Sequence, residues 1–417
     1  MPPVGPLAAL RHAAFRFLLS GRVVSMTGNA VAPIALAFAV LDLTGSPLDL
    51  GIVVGGRSIT TIVFILIGGV VADRLPRSVV LVASSTLAAA SQAAVATLVL
   101  THTATIPLLL ALSCVNGLVS AFAFPAVSAL VPQTVPGDVR TQANALNRLG
   151  SNAAMILGAA LGGLLVAGVG PGWGLAVDSA TFLIAGVLFG CVRVADHRTA
   201  GASADASPLR ELRDGWREFV SRPWVWIVVL GFTFFNMAEQ GSLNVIGPTV
   251  ADASFGRTVW GLVLAAETAG GVLGALIAMR VRVRRLLLLG IVCCVAPPTL
   301  LVALALTPVA TVLIPAAFLT GLAIEQFSIA WEVSIQEHIP ADKLARVYSY
   351  DALGSLLGIP VGQILAGPFV VALGASPALL VASGICGLAV LGMLASRSVR
   401  TLAHGRTAAV PVPVPAV

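Results

Sequence analysis

The chain has 417 residues, 58% of them apolar and only 10% charged, with a formal net charge of +6 and a mean hydropathy of +0.99. A soluble domain carries about 25% charged residues, and a single soluble core does not grow to this size, so lipid must be the solvent for most of the chain. The basic excess does not point to nucleic acid, because the arginines come in short bursts between apolar runs, as loop charges do in membrane proteins.

The apolar run after the basic segment Met1–Arg16 lacks a small-residue cleavage site and continues as a full span, which reads as a retained first helix. A bilayer core takes about 20 apolar residues per helix. Breaks at charged, Pro and Gly clusters give six spans near 17–42, 49–71, 79–101, 105–131, 144–168 and 173–193. Six more follow near 223–246, 258–279, 286–306, 309–333, 346–372 and 377–396. The fold expected is all-α integral membrane, with twelve transmembrane helices in two pseudo-symmetric six-helix bundles. Residues 1–193 form the first bundle, 194–222 a cytoplasmic linker, 223–400 the second bundle and 401–417 a flexible cytoplasmic tail.

Charge sets the orientation. With both termini in the cytoplasm, Arg11, Arg16, Arg140, Arg193 and the cluster Arg280 to Arg285 all lie inside, and only Arg257 sits in an outer loop. A multi-pass protein of a plasma or inner membrane follows. In the linker, Ser207 can cap a helix with Pro208 in its first turn. Leu209, Leu212, Trp216, Phe219 and Val220 recur at helical spacing, as in an amphipathic helix on the inner leaflet.

The two halves repeat at a spacing of 204 residues. Pro136-Gly137-Asp138 matches Pro340-Ala341-Asp342, Leu149-Gly150-Ser151 matches Leu353-Gly354-Ser355, Gly158 matches Gly362, and Gly163 matches Gly367. Duplicated halves place a working site between them near the midplane, which favours a transporter over other membrane proteins.

Absences narrow the chemistry. The cysteines Cys114, Cys191, Cys293, Cys294 and Cys386 lie in apolar runs, with no Cys-x-x-Cys and no Cys/His cluster, so neither disulfides nor a metal site is expected. There is no phosphate-binding Gly-x-x-x-x-Gly-Lys loop and no His-Glu-x-x-His helix. No enzyme and no cofactor are expected.

After the second span stands Gly69-Val70-Val71-Ala72-Asp73-Arg74-Leu75-Pro76-Arg77. It resembles the loop signature of the major facilitator superfamily, Gly-x-x-x-Asp-Arg-x-Gly-Arg, with Pro76 in place of Gly. The resemblance implies a gating loop in which Gly69, Asp73, Arg74 and Arg77 meet the eleventh helix near Arg346. In the fifth span, Gly158-Ala159-Ala160-Leu161-Gly162-Gly163 resembles the antiporter motif of that superfamily, with Ala159 in place of Pro. Gly158, Gly162 and Gly163 permit tight helix contact. Together with Leu41-Asp42-Leu43-Thr44-Gly45-Ser46-Pro47, Ala143-Asn144-Ala145-Leu146-Asn147 and Arg346-Val347-Tyr348-Ser349-Tyr350-Asp351, the pattern looks like the drug-efflux branch that includes macrolide-efflux proteins and the enterobactin exporter. That branch implies proton-coupled export. The fourth-span Arg of many antiporters is missing, and Asn29 stands where Asp is expected in this branch.

Ionisable groups in a span cost at least about 2.5–3.5 kcal/mol each at the bilayer centre, so they face a cavity or a partner. Glu239, Glu267 and Glu325 are the deepest carboxylates expected, joined by Arg57, Arg148 and Asp351. Aligning the halves by Gly51 and Gly261 makes Arg57 and Glu267 repeat equivalents. Taking a carboxyl out of water favours its neutral form, so Glu239 or Glu325 is a candidate proton-coupling acid. A fixed ion pair with Arg57 or Arg148 is the competing reading. Asn29, Asn236, Gln240, Gln326, Phe235 and Trp331 are candidates to line an amphipathic pocket. The function expected is proton-coupled export of a lipophilic or amphiphilic small molecule, with protons and membrane lipid as partners, no nucleic acid, and a monomer. Export of a siderophore or lipid-like metabolite, for which Arg57 and Arg148 would be the contacts, is the alternative. A non-transporting membrane scaffold is the alternative of another class.

Overall fold

The structure is a computed structural model that describes residues 7–74, 77–192, 216–217, 219–280, 283–340 and 343–403, with side chains described for all of these except 66–74, 77, 124–129, 132, 138, 345 and 346. Among the described residues no strand is present. The first half contains α1 (Ala13–Thr44), α2 (Pro47–Arg74), α3 (Arg77–Leu100), α4 (Ile106–Leu130), α5 (Arg140–Val169) and α6 (Pro171–Gly190). The second contains α7 (Pro223–Gly241), α8 (Gly247–Ala253), α9 (Arg257–Ala278), α10 (Leu286–Cys293), α11 (Ala296–Leu306), α12 (Ala310–His338), α13 (Leu344–Leu373), α14 (Ala375–Ala395) and the short α15 (Arg397–Arg400).

Eleven helical stretches among the described residues are long and apolar enough to cross a membrane. Leu286–Leu306 is one of them, interrupted before Pro297 and Pro298, which have no N–H to donate. The twelfth expected span is α7, a π turn over Ser242–Ile246, and α8. Asn236, Glu239 and Gln240 dilute its apolar character. The π turn has a cause in the sequence. Pro248 cannot donate to the carbonyl of Asn244 four residues back, and the helix widens just before it.

Within the first bundle α1 packs on α5 and α6, and α3 and α2 pack on α4. Within the second, α7 packs on α13 and α14, and α9, α10 and α11 pack on α12. Two helix pairs make most of the contact between the bundles, α5 with α9 and α2 with α13. Glycines make these approaches possible, and they do so twice. Gly158 lies against the backbone of Thr27 on α1, and its repeat partner Gly362 against that of Met237 on α7. Gly163 lies against Gly261 and the Arg257 carbonyl on α9, and its partner Gly367 against Pro47 and Leu48 on α2. Gly162 packs on Val31 of α1. The repeat also sets backbone conformation. Gly170 and Gly374, again 204 residues apart, have φ of 95° and 89°, which L side chains rarely adopt. Both sit in turns at the end of the molecule away from the chain termini, here termed the distal end.

The amphipathic helix expected over 207–220 and the tail lie mostly outside the described residues. Trp216 and Phe219 stack at 5.7 Å, and Trp216 meets Tyr350 of α13 edge-on at 5.5 Å. The side chains of Asp73, Arg74, Arg77 and Arg346 from the expected gating loop also lie outside the described set, as does any side-chain environment of Gly69.

Candidate functional site

Of three adjoining chambers, two lie between the bundles and the third is walled by the second bundle alone. The first, about 310 Å³, is bordered by Arg57, Ser58 and Thr61 of α2, Ser120 of α4, Asn244 of the π turn and Gln363 of α13. The second, about 270 Å³, is bordered by Asn29 and Pro33 of α1, Gln240, Asn244 and Glu267. The third, about 540 Å³, is bordered by Phe232, Asn236 and Glu239 of α7, Glu267 of α9, Phe327, Trp331 and Glu332 of α12, and Tyr348 and Asp351 of α13. Pro33 and Asn244 are shared by the first two, Gln240 and Glu267 by the second and third, and Leu356 by the first and third.

Helical periodicity builds the third chamber. Phe232, Asn236 and Glu239 fall on one face of α7, Phe327 and Trp331 on one face of α12, and Asp351 and Ser355 on one face of α13. Phe232 and Phe327 stack at 4.0 Å, and Phe327 continues to Trp331 at 6.2 Å. Trp331 Nε1 donates to Asp351 Oδ2 at 3.0 Å, and Ser355 Oγ donates to Asp351 Oδ1 at 3.2 Å. Asn236 Nδ2 donates to the Ser355 carbonyl at 2.9 Å. Glu239 is 6% exposed, and Glu267 lies within electrostatic reach of it. The four carboxylates Glu239, Glu267, Glu332 and Asp351 border this chamber, and among the described residues no Arg or Lys does. It is an acidic, aromatic wall.

The remaining intramembrane charges are placed differently. Arg148 Nη2 meets Glu325 Oε1 at 2.8 Å and ties α5 to α12 across the bundles. Glu325 therefore does not join the acidic chamber, and the ion-pair reading describes it in this conformation. Arg257 is the first residue of α9 rather than a free loop charge. Its fork grips both oxygens of Asp42 on α1, its Nε meets Asp252 at 2.8 Å, and its guanidinium lies 4.7 Å from the Phe38 ring centre. This latch joins the bundles at the distal end.

Two expected cavity residues are elsewhere. Phe235 is fully buried, packs on Phe232 at 5.2 Å and does not border the chambers, and Cys386 of α14 lies against its carbonyl. Gln326 is also buried, and its Nε2 donates to the Gly274 carbonyl at 2.5 Å, joining α12 to α9. One charged residue was missed. Asp178 of α6 has no exposure, accepts a hydrogen bond from Gln92 Nε2 at 2.5 Å, and leaves Oδ1 without a partner beside Gly28. The signal was present, since Asp178 is the sole ionisable residue between Pro171 and Gly190.

Residues 18–276 match the family model of the Major Facilitator Superfamily. The chain belongs to this superfamily. A curated member, the uncharacterized MFS-type transporter YkuC of Bacillus subtilis (strain 168), is 25% identical over 232 residues, or 54% of each chain. The match therefore spans about half the length of that relative. The solved nucleoside transporter NupG superposes with a TM-score of 0.73 at 14% identity, covering 92% of this chain and 98% of its own. A bacterial homolog of the human lysosomal transporter Spinster, inward-facing and occupied, gives 0.64 at 15% identity over 92% and 94%. At these identities the likeness is one of fold. The superfamily's two-bundle fold also accounts for the placement of the first two chambers between the bundles.

Proposed function

We propose that the chain is a secondary active exporter that exchanges protons for a lipophilic or amphiphilic small molecule, such as an antibiotic, by alternating access. The acidic, aromatic third chamber carries this reading. Carboxylates away from water suit both a cationic group and a proton, so one site can exchange the two. The aromatic wall suits an apolar body. With both termini in the cytoplasm of a cell membrane, the distal end faces outward. There Gly163, Gly367 and the Arg257–Asp42 latch hold the bundles together, as an inward-facing exporter requires. The loop of Asp73, Arg74 and Arg77, with Arg346, is the candidate latch of the opposite state. Glu239 and Glu267 are the proton carriers in this scheme, while Glu325 holds Arg148. One chain provides the whole cavity, so a monomer suffices.

The test uses inside-out vesicles with a preformed pH gradient and a panel of macrolides and cationic dyes. Wild type is expected to release protons on addition of a transported compound, and Glu239→Gln and Glu267→Gln are expected to abolish that release. Unchanged proton release in both variants would refute the scheme. Arg57, unlike Arg148, favours a second reading, export of an anionic or lipid-like metabolite.

A further inference from the structure

The duplicated fold puts opposite charges at equivalent places. The carbonyl of Arg57 lies against Gly117 of α4, and the carbonyl of Glu267 lies against Gly321 of α12. Those glycines are 204 residues apart, the spacing that relates the other repeat pairs. Arg57 and Glu267 thus occupy the same position in the two halves. Arg57 borders the first chamber and Glu267 the second and third, and the chambers share walls at Pro33, Asn244 and Leu356. Neighbouring chambers that share wall residues are thus bordered by a cation on the first-half side and by carboxylates on the second-half side.

The two poles are not neutralised by each other. Among the described residues, the Arg57 guanidinium makes no hydrogen bond or ion pair, whereas Arg22 donates to Ser151, Arg148 pairs with Glu325 and Arg257 with Asp42. Asp178 is close enough for its charge to act on Arg57, yet its hydrogen bond goes to Gln92. The otherwise largely apolar wall around Arg57 carries Ser58, Thr61 and Ser120. Gln363 adds a buried Oε1 that has no donor. An unpaired guanidinium at membrane depth is costly, and its planar fork matches an oxyanion.

We propose that the substrate is a zwitterion, with an oxyanion group seated on Arg57, a cationic group on Glu267 and Glu239, and an apolar body against Phe232, Phe327 and Trp331. The proposal rests on the reading of these chambers as the substrate site and narrows its substrate class. Such a molecule spans both halves of the repeat. A singly charged analogue leaves one pole unpaired, which is how a site of this kind rejects it.

The test compares two dyes of one shape. Rhodamine B carries a carboxylate and a delocalised cation, and its methyl ester keeps the cation and the ring system without the carboxylate. Binding to the full chain in lipid nanodiscs is read by fluorescence anisotropy. A hydrogen-bonded charge contributes enough for the wild type to prefer rhodamine B by about tenfold or more. Arg57→Gln is expected to erase that preference, and Arg57→Lys, which keeps the charge, to retain part of it. Glu267→Gln is expected to weaken both dyes and leave the preference. Equal binding of the two dyes by the wild type overturns the proposal, as does a preference that survives in Arg57→Gln. Loss of proton-linked export with the dye preference intact strikes the antiport reading and leaves this one standing.

Discussion

Gly163→Ala tests whether backbone contact holds the distal end shut. A Cβ at this position would stand 2.9 Å from the Arg257 carbonyl oxygen, 2.9 Å from the Gly261 Cα and 3.0 Å from the Thr258 carbonyl oxygen. All three are backbone atoms of α9, so none can rotate away as a side-chain tip would. Relief requires α5 and α9 to part by a few tenths of an ångström. Overpacking of this kind costs about 1–3 kcal/mol. The contact is between bundles, so the cost falls on the closed distal end and vanishes when that end opens. The open-to-closed ratio should then rise by roughly 5- to 150-fold. The assay is labelling of Leu36→Cys, in a chain whose five cysteines have been replaced, by an impermeant maleimide added outside intact cells. Leu36 is buried and borders the first chamber. Gly168→Ala is the control, because a Cβ there meets nothing within 4 Å. Labelling should accelerate at least fivefold in Gly163→Ala and stay unchanged in Gly168→Ala, within the range just given. Equal labelling of Gly163→Ala and its parent would refute the reasoning.

Other perturbations probe the same architecture. Arg257→Gln should also accelerate distal labelling, but less, since half-exposed ion pairs contribute about 1 kcal/mol or less each; the wild type at high salt should shift the same way. Arg148→Gln and Glu325→Gln, combined in a double-mutant cycle on thermal stability in nanodiscs, should show a coupling of no more than about 1 kcal/mol, because the Arg148 side chain is 67% exposed. A coupling several times larger would show that the pair is better shielded than its exposure indicates. Pro248→Ala restores a donor to the Asn244 carbonyl, so the π turn should relax towards α geometry and carry Asn244 away from the chambers. Transport should slow while melting temperature stays level or rises, and unchanged transport would separate the π turn from function.

Much of the fold was legible because its signals are local. Most apolar runs end near Gly, Pro or Arg, and the observed helices end within a few residues of those marks. The repeat was legible because glycines that pack backbone to backbone, such as Gly158 with Gly362, keep both identity and spacing. The site was only partly legible. Asn236, Gln240, Glu239, Glu267, Trp331 and Asp351 do border the chambers, as their polarity in apolar helices suggested. Gln326 obeys the same rule and yet bonds the Gly274 carbonyl, a choice that depends on a neighbour 52 residues away. Phe232 and Phe235 differ by three positions, and tertiary packing rather than spacing decides that Phe235 is sealed while Phe232 borders a chamber. The Arg148–Glu325 and Arg257–Asp42 pairs join residues 177 and 215 apart, beyond any periodicity.

The twin glycine crossings, Gly163 on α9 and Gly367 on α2, have a mechanical consequence. Interdigitated side chains act as teeth, and one packed surface slides past another only by lifting them out of their holes. Backbone lying on glycine has no teeth. The two crossings can therefore part and close again without side chains having to disengage. Little resists their parting, and the hold on the distal end passes to the Arg257–Asp42 clasp beside them.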